Sequence, residues 1–426
     1  MFPIKTALLP GRFFCYAKRI SPIFMTKKLL VSNRAREINP SPIRKFLPMA
    51  ERAESRGIKI FKLNVGDPDI IPPGEFMRAV KAYRQKNLGY APSTGILRHV
   101  EAWQKYYRRL GVRLSRSDLI PTVGCAEAIG FALQAVADVG DEVLVFEPLY
   151  ANYKSFAVML GIKLVPVALN IGTGFILNSS KDVEKKISSK TKAIVVINPD
   201  NPTGKLWSEA ELYMLETLAK KYNLFIIADE TYREIRFSGR PQTMLSRKAA
   251  AQNVVVVDSI SKRFSLPGAR IGALASRNAE VMAAVLKFAQ ARLSVGTLEQ
   301  YAAIPLLEHG KPYVSRLVKE YKKRQAAAVK GLKKIKGAKF VASQGAFYQT
   351  VALPIDNAER FVEFMLADFS YKNQTVMATP MQDFYISKGK GQNEIRIAYV
   401  LKVKELAKAM DVLARGLEAY KAACLR

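Results

Sequence analysis

Cysteine, histidine and acidic residues are all scarce in this sequence of 426 residues, and each scarcity removes a class of chemistry. The three cysteines, Cys15, Cys125 and Cys424, are odd in number and far apart, so they build neither a disulfide framework nor a paired CxxC metal or redox site. A reducing, cytoplasmic compartment is expected. Only His99 and His309 are present, which excludes most histidine-based zinc sites and leaves a Ser/His/Asp triad without good candidates; no metal site is expected. Apolar runs such as "KAIVVIN", "LFIIAD" and "NVVVVDS" have strand length, well short of the about 18 residues of a membrane span. No membrane association is expected.

Against 36 Asp plus Glu stand 67 Lys plus Arg, a formal net charge of +31. The cations are spread along the chain, with short clusters at "KEYKKR" and "KGLKKIKGAK", and no helix-turn-helix, zinc-finger or single-strand-binding motif accompanies them. A solvated basic surface is the expectation, with no specific nucleic acid as partner.

With 49% hydrophobic residues the chain can bury a sizeable core. From Val143 onward short β-rich runs alternate with helical stretches: "EVLVFEP", "KLVPVAL", "KAIVVIN", "LFIIADE", "VVVVDSI" and "IGALAS", with helix-like "SEAELYMLETLAKKY" between two of them. This predicts an α/β fold whose strands are covered by helices on both faces, so that a site would collect beyond the carboxyl ends of the strands. Residues 1–24 hold basic and apolar residues, no acid, and prolines that interrupt a continuous signal-peptide core; they read as an N-terminal extension, either an extended start or an organellar or export sequence. A small domain is expected from 25–75 with 331–426, and a large one from 76–330.

Three strand ends carry the chemistry: "INPDNPTGK", "ADETY" and "DSISKRFSLPGAR". Lys262 stands where a buried strand runs out. An amine held semi-buried beside other cations has its pKa lowered and can form a Schiff base with an aldehyde. Asp229 closes an apolar strand, where a carboxylate needs a partner such as a protonated pyridine nitrogen; Tyr232 and Asn201 could bond to that ring's phenolic oxygen. Arg270, with Ser259 and Ser261, suits a phosphate. So does "TVGCAEAI", where Gly124 lets the backbone approach and the amides of Cys125 and Ala126 open a helix N-terminus. Tyr150 in "EPLYANY" could stack on a flat ring.

In this order, "NPxNPTG", "ADExY" and "SxSK…GxRxG" resemble the class I and II aminotransferases, the aspartate aminotransferase fold family, from about Asn64 to the C-terminus. The resemblance implies the pyridoxal-phosphate fold type I: a mostly parallel central sheet flanked by helices, plus a smaller α+β domain. It implies pyridoxal 5'-phosphate as cofactor and Lys262 as Schiff-base lysine and proton shuttle. Asp229 would pair with the pyridine nitrogen, Asn201 and Tyr232 with the phenolate oxygen, and Arg270, Ser259 and the amides after Gly124 with the phosphate. Tyr90 in "LGYAPSTG" matches the tyrosine that reaches the neighbouring subunit's phosphate, which implies a homodimer with shared sites. Gly66 in "LNVGDPD" would leave room beside the substrate, and Arg396 in "NEIRIAYV" would grip the α-carboxylate, a role its planar fork suits.

The resemblance further implies a two-stage exchange between an L-amino acid and a 2-oxo acid. Aspartate with 2-oxoglutarate is the expected pair, because "TPMQDFYISKGKGQNEIRIAYV" resembles the end of bacterial aspartate aminotransferases. Cys125 supplies no charge for a distal carboxylate; Arg292 in "QARLSVGT" is the candidate for that task. Aromatic or alanine aminotransferases and a C–S β-lyase share the same starting chemistry, and a non-enzymatic pyridoxal-phosphate-binding or nucleic-acid-binding protein is the alternative of another class.

Overall fold

The computed structural model describes residues 30–425; the extension expected over 1–24, with Cys15, lies outside them. Twelve strands occur among the described residues: β1 (Lys59–Lys62), β2 (Leu119–Val123), β3 (Glu142–Glu147), β4 (Lys163–Ala168), β5 (Thr191–Ile197), β6 (Phe225–Asp229), β7 (Val254–Ser259), β8 (Ile271–Ser276), β9 (Tyr348–Ala352), β10 (Gln374–Met377), β11 (Thr379–Pro380) and β12 (Glu394–Ala398). Seven of them form one sheet in the order β2-β8-β7-β6-β5-β3-β4, parallel except for β8.

The valine- and isoleucine-rich runs form this sheet because both of their faces find cover. Along β7, Val254 and Val256 enter one apolar core while Val255 and Val257 enter another, and Ile226 and Ile227 divide in the same way on β6. Each fully buried valine contributes roughly 1.5–3 kcal/mol before chain entropy is counted. Both edge strands carry a proline, Pro121 in β2 and Pro166 in β4, which has no N–H to offer a further strand.

From β3 the chain adds β4 on one side and then β5, β6 and β7 on the other, so the strand order reverses between β3 and β5. Such a reversal opens a crevice at the carboxyl ends of the strands. A third core brings together β9, β10 and β12 with the helices Lys311–Leu332 and Val403–Cys424. β1 pairs in parallel with β10, and β11-β12-β9 is antiparallel, so the first and last parts of the described chain are woven together beside the crevice. No helix among the described residues is long and apolar enough to cross a membrane.

Candidate active site

Beyond the carboxyl ends of β2, β3, β5, β6 and β7 lies a cavity of about 150 Å³, whose walls include Cys125, Ala126, Tyr150, Asn201, Asp229, Tyr232, Ser259, Ser261, Lys262 and Arg270. Parallel strands deliver these side chains to one rim because each run ends at the same level of the sheet.

Lys262 follows β7 by three residues, and its Nζ donates to Gly66 O at 2.9 Å. Burial lowers its pKa from 10.5 to about 8; the positive fields of Arg396 and Arg270 act in the same direction, and Asp67 opposes them. Asp229, the last residue of β6, is buried, which raises its pKa to about 6. Its Oδ1 accepts the Thr231 N–H at 3.1 Å and lies 3.7 Å from Cys125 Sγ, while Oδ2 accepts from Tyr153 Oη at 3.4 Å. None of these partners is a cation. Burial, with Asp229 next in effect, also pushes the Cys125 thiol up.

One end of the cavity is built for an anion. Gly124 opens the helix Gly124–Val136 with φ of +70°, and a Cβ there would stand 2.6 Å from Arg270 Nη2. Among the described residues Arg270 donates only to backbone carbonyls, those of Pro267 at 3.0 Å and Val123 at 3.2 Å. Ser259 Oγ and Ser261 Oγ lie 2.5 Å apart beside it, and Ser259 Oγ also donates to Ile271 O.

Behind Asn201, which lines the cavity, stands Arg396, on β12 and fully buried. Its Nη1 donates to Asn201 Oδ1 at 2.9 Å and its Nη2 to Asn64 O at 2.7 Å. Its Nε has no hydrogen-bond partner, and it forms no ion pair among the described residues; burial lowers its pKa. A fully desolvated guanidinium without a carboxylate is costly unless an anion completes it. Tyr348 lies beneath it, 4.4 Å from ring centroid to guanidinium, and shares a 2.9 Å hydrogen bond with Tyr232. Gly66 must be glycine here, since a Cβ would overlap the Tyr348 hydroxyl.

Two expected site residues lie apart from the cavity. Tyr90 is 83% exposed, in the loop before Pro92. Arg292 is held by Glu127 Oε2 at 3.2 Å and by Pro121 O at 3.4 Å; it does not line the cavity, because the acid of the helix Gly124–Val136 takes its charge. His99 is buried and accepts from Trp103 Nε1 at 2.7 Å, with a pKa lowered to about 3 by burial, and has no part in the site.

Sequence reading missed Tyr153, Thr231, Asn64 and Tyr348. Tyr153 stands within the quoted "EPLYANY", three residues beyond Tyr150; Tyr348 has no local signal, because its meeting with Tyr232 spans 116 positions. It also missed the network behind the rim. Arg233 donates to Glu230 Oε2 at 2.7 Å and Tyr107 Oη at 3.1 Å and pairs with Asp258 Oδ2 at 2.9 Å, while Arg263 pairs with Asp258 Oδ1. These buried pairs tie the end of β6 to that of β7.

The donor set fits pyridoxal phosphate on its own terms. A buried acid without a cation suits a pyridinium, an unpaired arginine over a helix N-terminus suits a phosphate, and an amine titrating at about 8 suits an aldehyde.

A family model described as aminotransferase class I and II matches residues 58–413. Among curated proteins, the aspartate aminotransferase of Thermotoga maritima is 30% identical over 391 residues, 90% of this chain and 98% of that protein. The (5-formylfuran-3-yl)methyl phosphate transaminase of Methanocaldococcus jannaschii is 28% identical over 389 residues, again 90% and 98%. Among solved structures, an alanine aminotransferase from Pyrococcus furiosus superposes with a TM-score of 0.84 at 28% identity, covering 92% of this chain and all of that one.

Proposed function

The chain belongs to the class I and II aminotransferases, and from that premise we propose that it moves the amino group of L-aspartate to 2-oxoglutarate, in two half-reactions at the cavity around Lys262. The family is dependent on pyridoxal 5'-phosphate, and this is the cofactor. When bound, it supplies an aldehyde carbon at which amines exchange and a ring that draws in the electrons of a broken Cα–H bond.

In this reading Lys262 holds the aldehyde carbon, Asp229 keeps the pyridine nitrogen protonated, and Asn201 and Tyr232 hold the ring oxygen. Tyr150 stacks on the ring. Arg270, Ser259, Ser261 and the amides of Cys125 and Ala126 hold the phosphate, with Tyr90 of the partner subunit reaching the same group in a homodimer. Arg396 takes the substrate α-carboxylate in its fork, beside the room that Gly66 leaves. Lys262 Nζ takes the α-proton and returns it on the other side of the exchange; a pKa near operating pH suits that task. Residues 25–75 with 331–426 act as the small domain and 76–330 as the large one, and the protein works in the cytoplasm.

The observation that carries the reading is Arg396, buried, without an ion pair among the described residues, and bonded to Asn201 in the wall of the Lys262 cavity. Relatives named aspartate aminotransferases favour aspartate. A neutral donor such as alanine is the second reading, because Arg292, the candidate for a distal carboxylate, is already engaged by Glu127.

The test is one cuvette series. Protein purified with pyridoxal phosphate is expected to absorb in the visible range, Lys262→Ala to lose that band, and aspartate with 2-oxoglutarate to yield oxaloacetate. Oxaloacetate absent but pyruvate formed from alanine would keep the aminotransferase and replace the donor. Arg396→Met is expected to keep the band and lose roughly 100-fold or more in kcat/KM through a raised KM, the cost of removing one partner of a desolvated charge pair.

A further inference from the structure

Tyr232, in the wall of the cavity, meets Tyr348 behind it. Their hydroxyls are 2.9 Å apart, both side chains are buried, and neither hydroxyl has another hydrogen-bond partner among the described residues. One hydroxyl must donate to the other. Whichever accepts keeps its own hydrogen for a third group.

The surroundings decide the direction. The Arg396 guanidinium lies 4.4 Å from the centre of the Tyr348 ring. A cation over an aromatic face withdraws charge and makes the phenol a better donor. Burial raises both phenols, but Tyr232 further, with Tyr348 itself next among the causes; the field of Arg396 opposes the rise in both, yet it stands second among the causes for Tyr348 and last for Tyr232. Tyr348 is therefore the stronger acid of the pair. The other charged or titratable groups facing it are Asp67 beside Gly66, Tyr150 after β3, Tyr321 on the helix Lys311–Leu332, and Lys262, which reaches Gly66 O under the Tyr348 hydroxyl.

We propose that Tyr348 is a positioning residue: its hydroxyl donates to Tyr232 and so aims the Tyr232 hydrogen into the cavity, toward the oxygen of the cofactor ring. This rests on the reading of Tyr232 as a partner of that oxygen. It also gives the strand pairing a purpose. Tyr348 and Arg396 stand on the adjacent strands β9 and β12, in register at Ala398 opposite Tyr348 and Arg396 opposite Thr350, so one small sheet sets both the carboxylate grip and the Tyr232 hydrogen.

The test uses substrate-free enzyme loaded with pyridoxal phosphate, titrating the visible absorption of the bound cofactor against pH in wild type, Tyr348→Phe, Tyr232→Phe and the double variant. A hydrogen bond donated to the ring oxygen favours its ionised form, so weakening the donor raises the midpoint. Tyr348→Phe, which keeps the ring under Arg396, is expected to raise it by roughly half a pH unit, about the worth of one neutral hydrogen bond. Tyr232→Phe is expected to raise it further, the Tyr348 effect is expected to vanish in the Tyr232→Phe background, and KM for the amino acid is expected to stay unchanged. An unmoved midpoint in Tyr348→Phe, or a shift that persists undiminished in the Tyr232→Phe background, overturns the assignment. Wild-type protein without a cofactor band would instead sink the aminotransferase site itself, taking this role with it.

Discussion

At the scale of single residues, Lys262 and Asp229 titrate toward each other. The amine comes down from 10.5 to about 8 and the acid rises from 3.8 to about 6, both chiefly because burial penalises the charged form. For Lys262 the folded pKa lies below the unfolded one. The unfolded chain thus binds the extra proton between about 8 and 10.5, and cofactor-free protein gains stability as pH rises through that window. The reactive neutral amine grows over the lower part of the same range. Capture of pyridoxal phosphate by cofactor-free protein, followed by stopped-flow absorbance, should therefore accelerate with pH and level off above about 8; a flat profile from 6.5 to 9 would contradict the assignment.

Asp229 has the opposite sign. Its folded pKa exceeds the unfolded value, so cofactor-free protein loses stability as pH climbs from 3.8 to about 6. That rise corresponds to at most about 3 kcal/mol. Asp229→Asn should therefore melt higher than wild type at pH 8 without cofactor, and bind pyridoxal phosphate more weakly. Calorimetry with and without cofactor checks both halves, and a variant less stable in both states would show the acid to be structural only. That Lys262, Asp229, Asn201 and Arg270 meet at one cavity was legible because each stands at or near the end of a recognisable apolar run. Tyr348 was not, since its value lies in a contact between distant segments.

At the scale of elements, the six runs read from Val143 onward are β3 to β8, legible because strands buried on both faces must be apolar throughout. β2 escaped notice: Pro121 interrupts its strand signal, and only its edge position makes the proline tolerable. The loop between β5 and the helix Glu209–Lys221 shows how an element end steadies the rim. Ser208 and Glu211 close a capping box on that helix, and Glu211 Oε1 also accepts from buried Lys205 Nζ at 2.5 Å, the lysine that ends "NPDNPTGK". Glu211→Ala removes the box and the carboxylate of the buried ion pair, leaving Lys205 Nζ with Phe175 O alone, at 2.6 Å. A loss of about 3–5 kcal/mol in chemical denaturation is expected, well above the about 1 kcal/mol of a cap alone. A loss near the lower figure would show that the Phe175 carbonyl suffices for Lys205.

At the scale of the whole molecule, the +31 charge and the exposed Tyr90 both point outward. A field of one sign concentrates anions, and both the phosphate cofactor and the carboxylate substrates are anions, so the charge has a use that needs no nucleic acid. Tyr90, exposed in a single chain, would acquire its role from a second one. If sites are shared, mixing the inactive Lys262→Ala with a Tyr90→Phe variant of reduced activity should restore part of the turnover, because hybrid dimers then hold one site with both native residues. Mixtures no better than the sum of their parts, at concentrations where sedimentation shows dimers exchanging, would rule out sharing.

The unpaired guanidinium of Arg396 has a practical corollary. If Arg396 takes the substrate carboxylate, other carboxylates should enter the same fork, so acetate, formate or citrate in a storage buffer would compete with the amino acid and stabilise the fold by mass action. The melting temperature and the apparent KM of this enzyme will then depend on the salt in which it is kept, and the two will rise together.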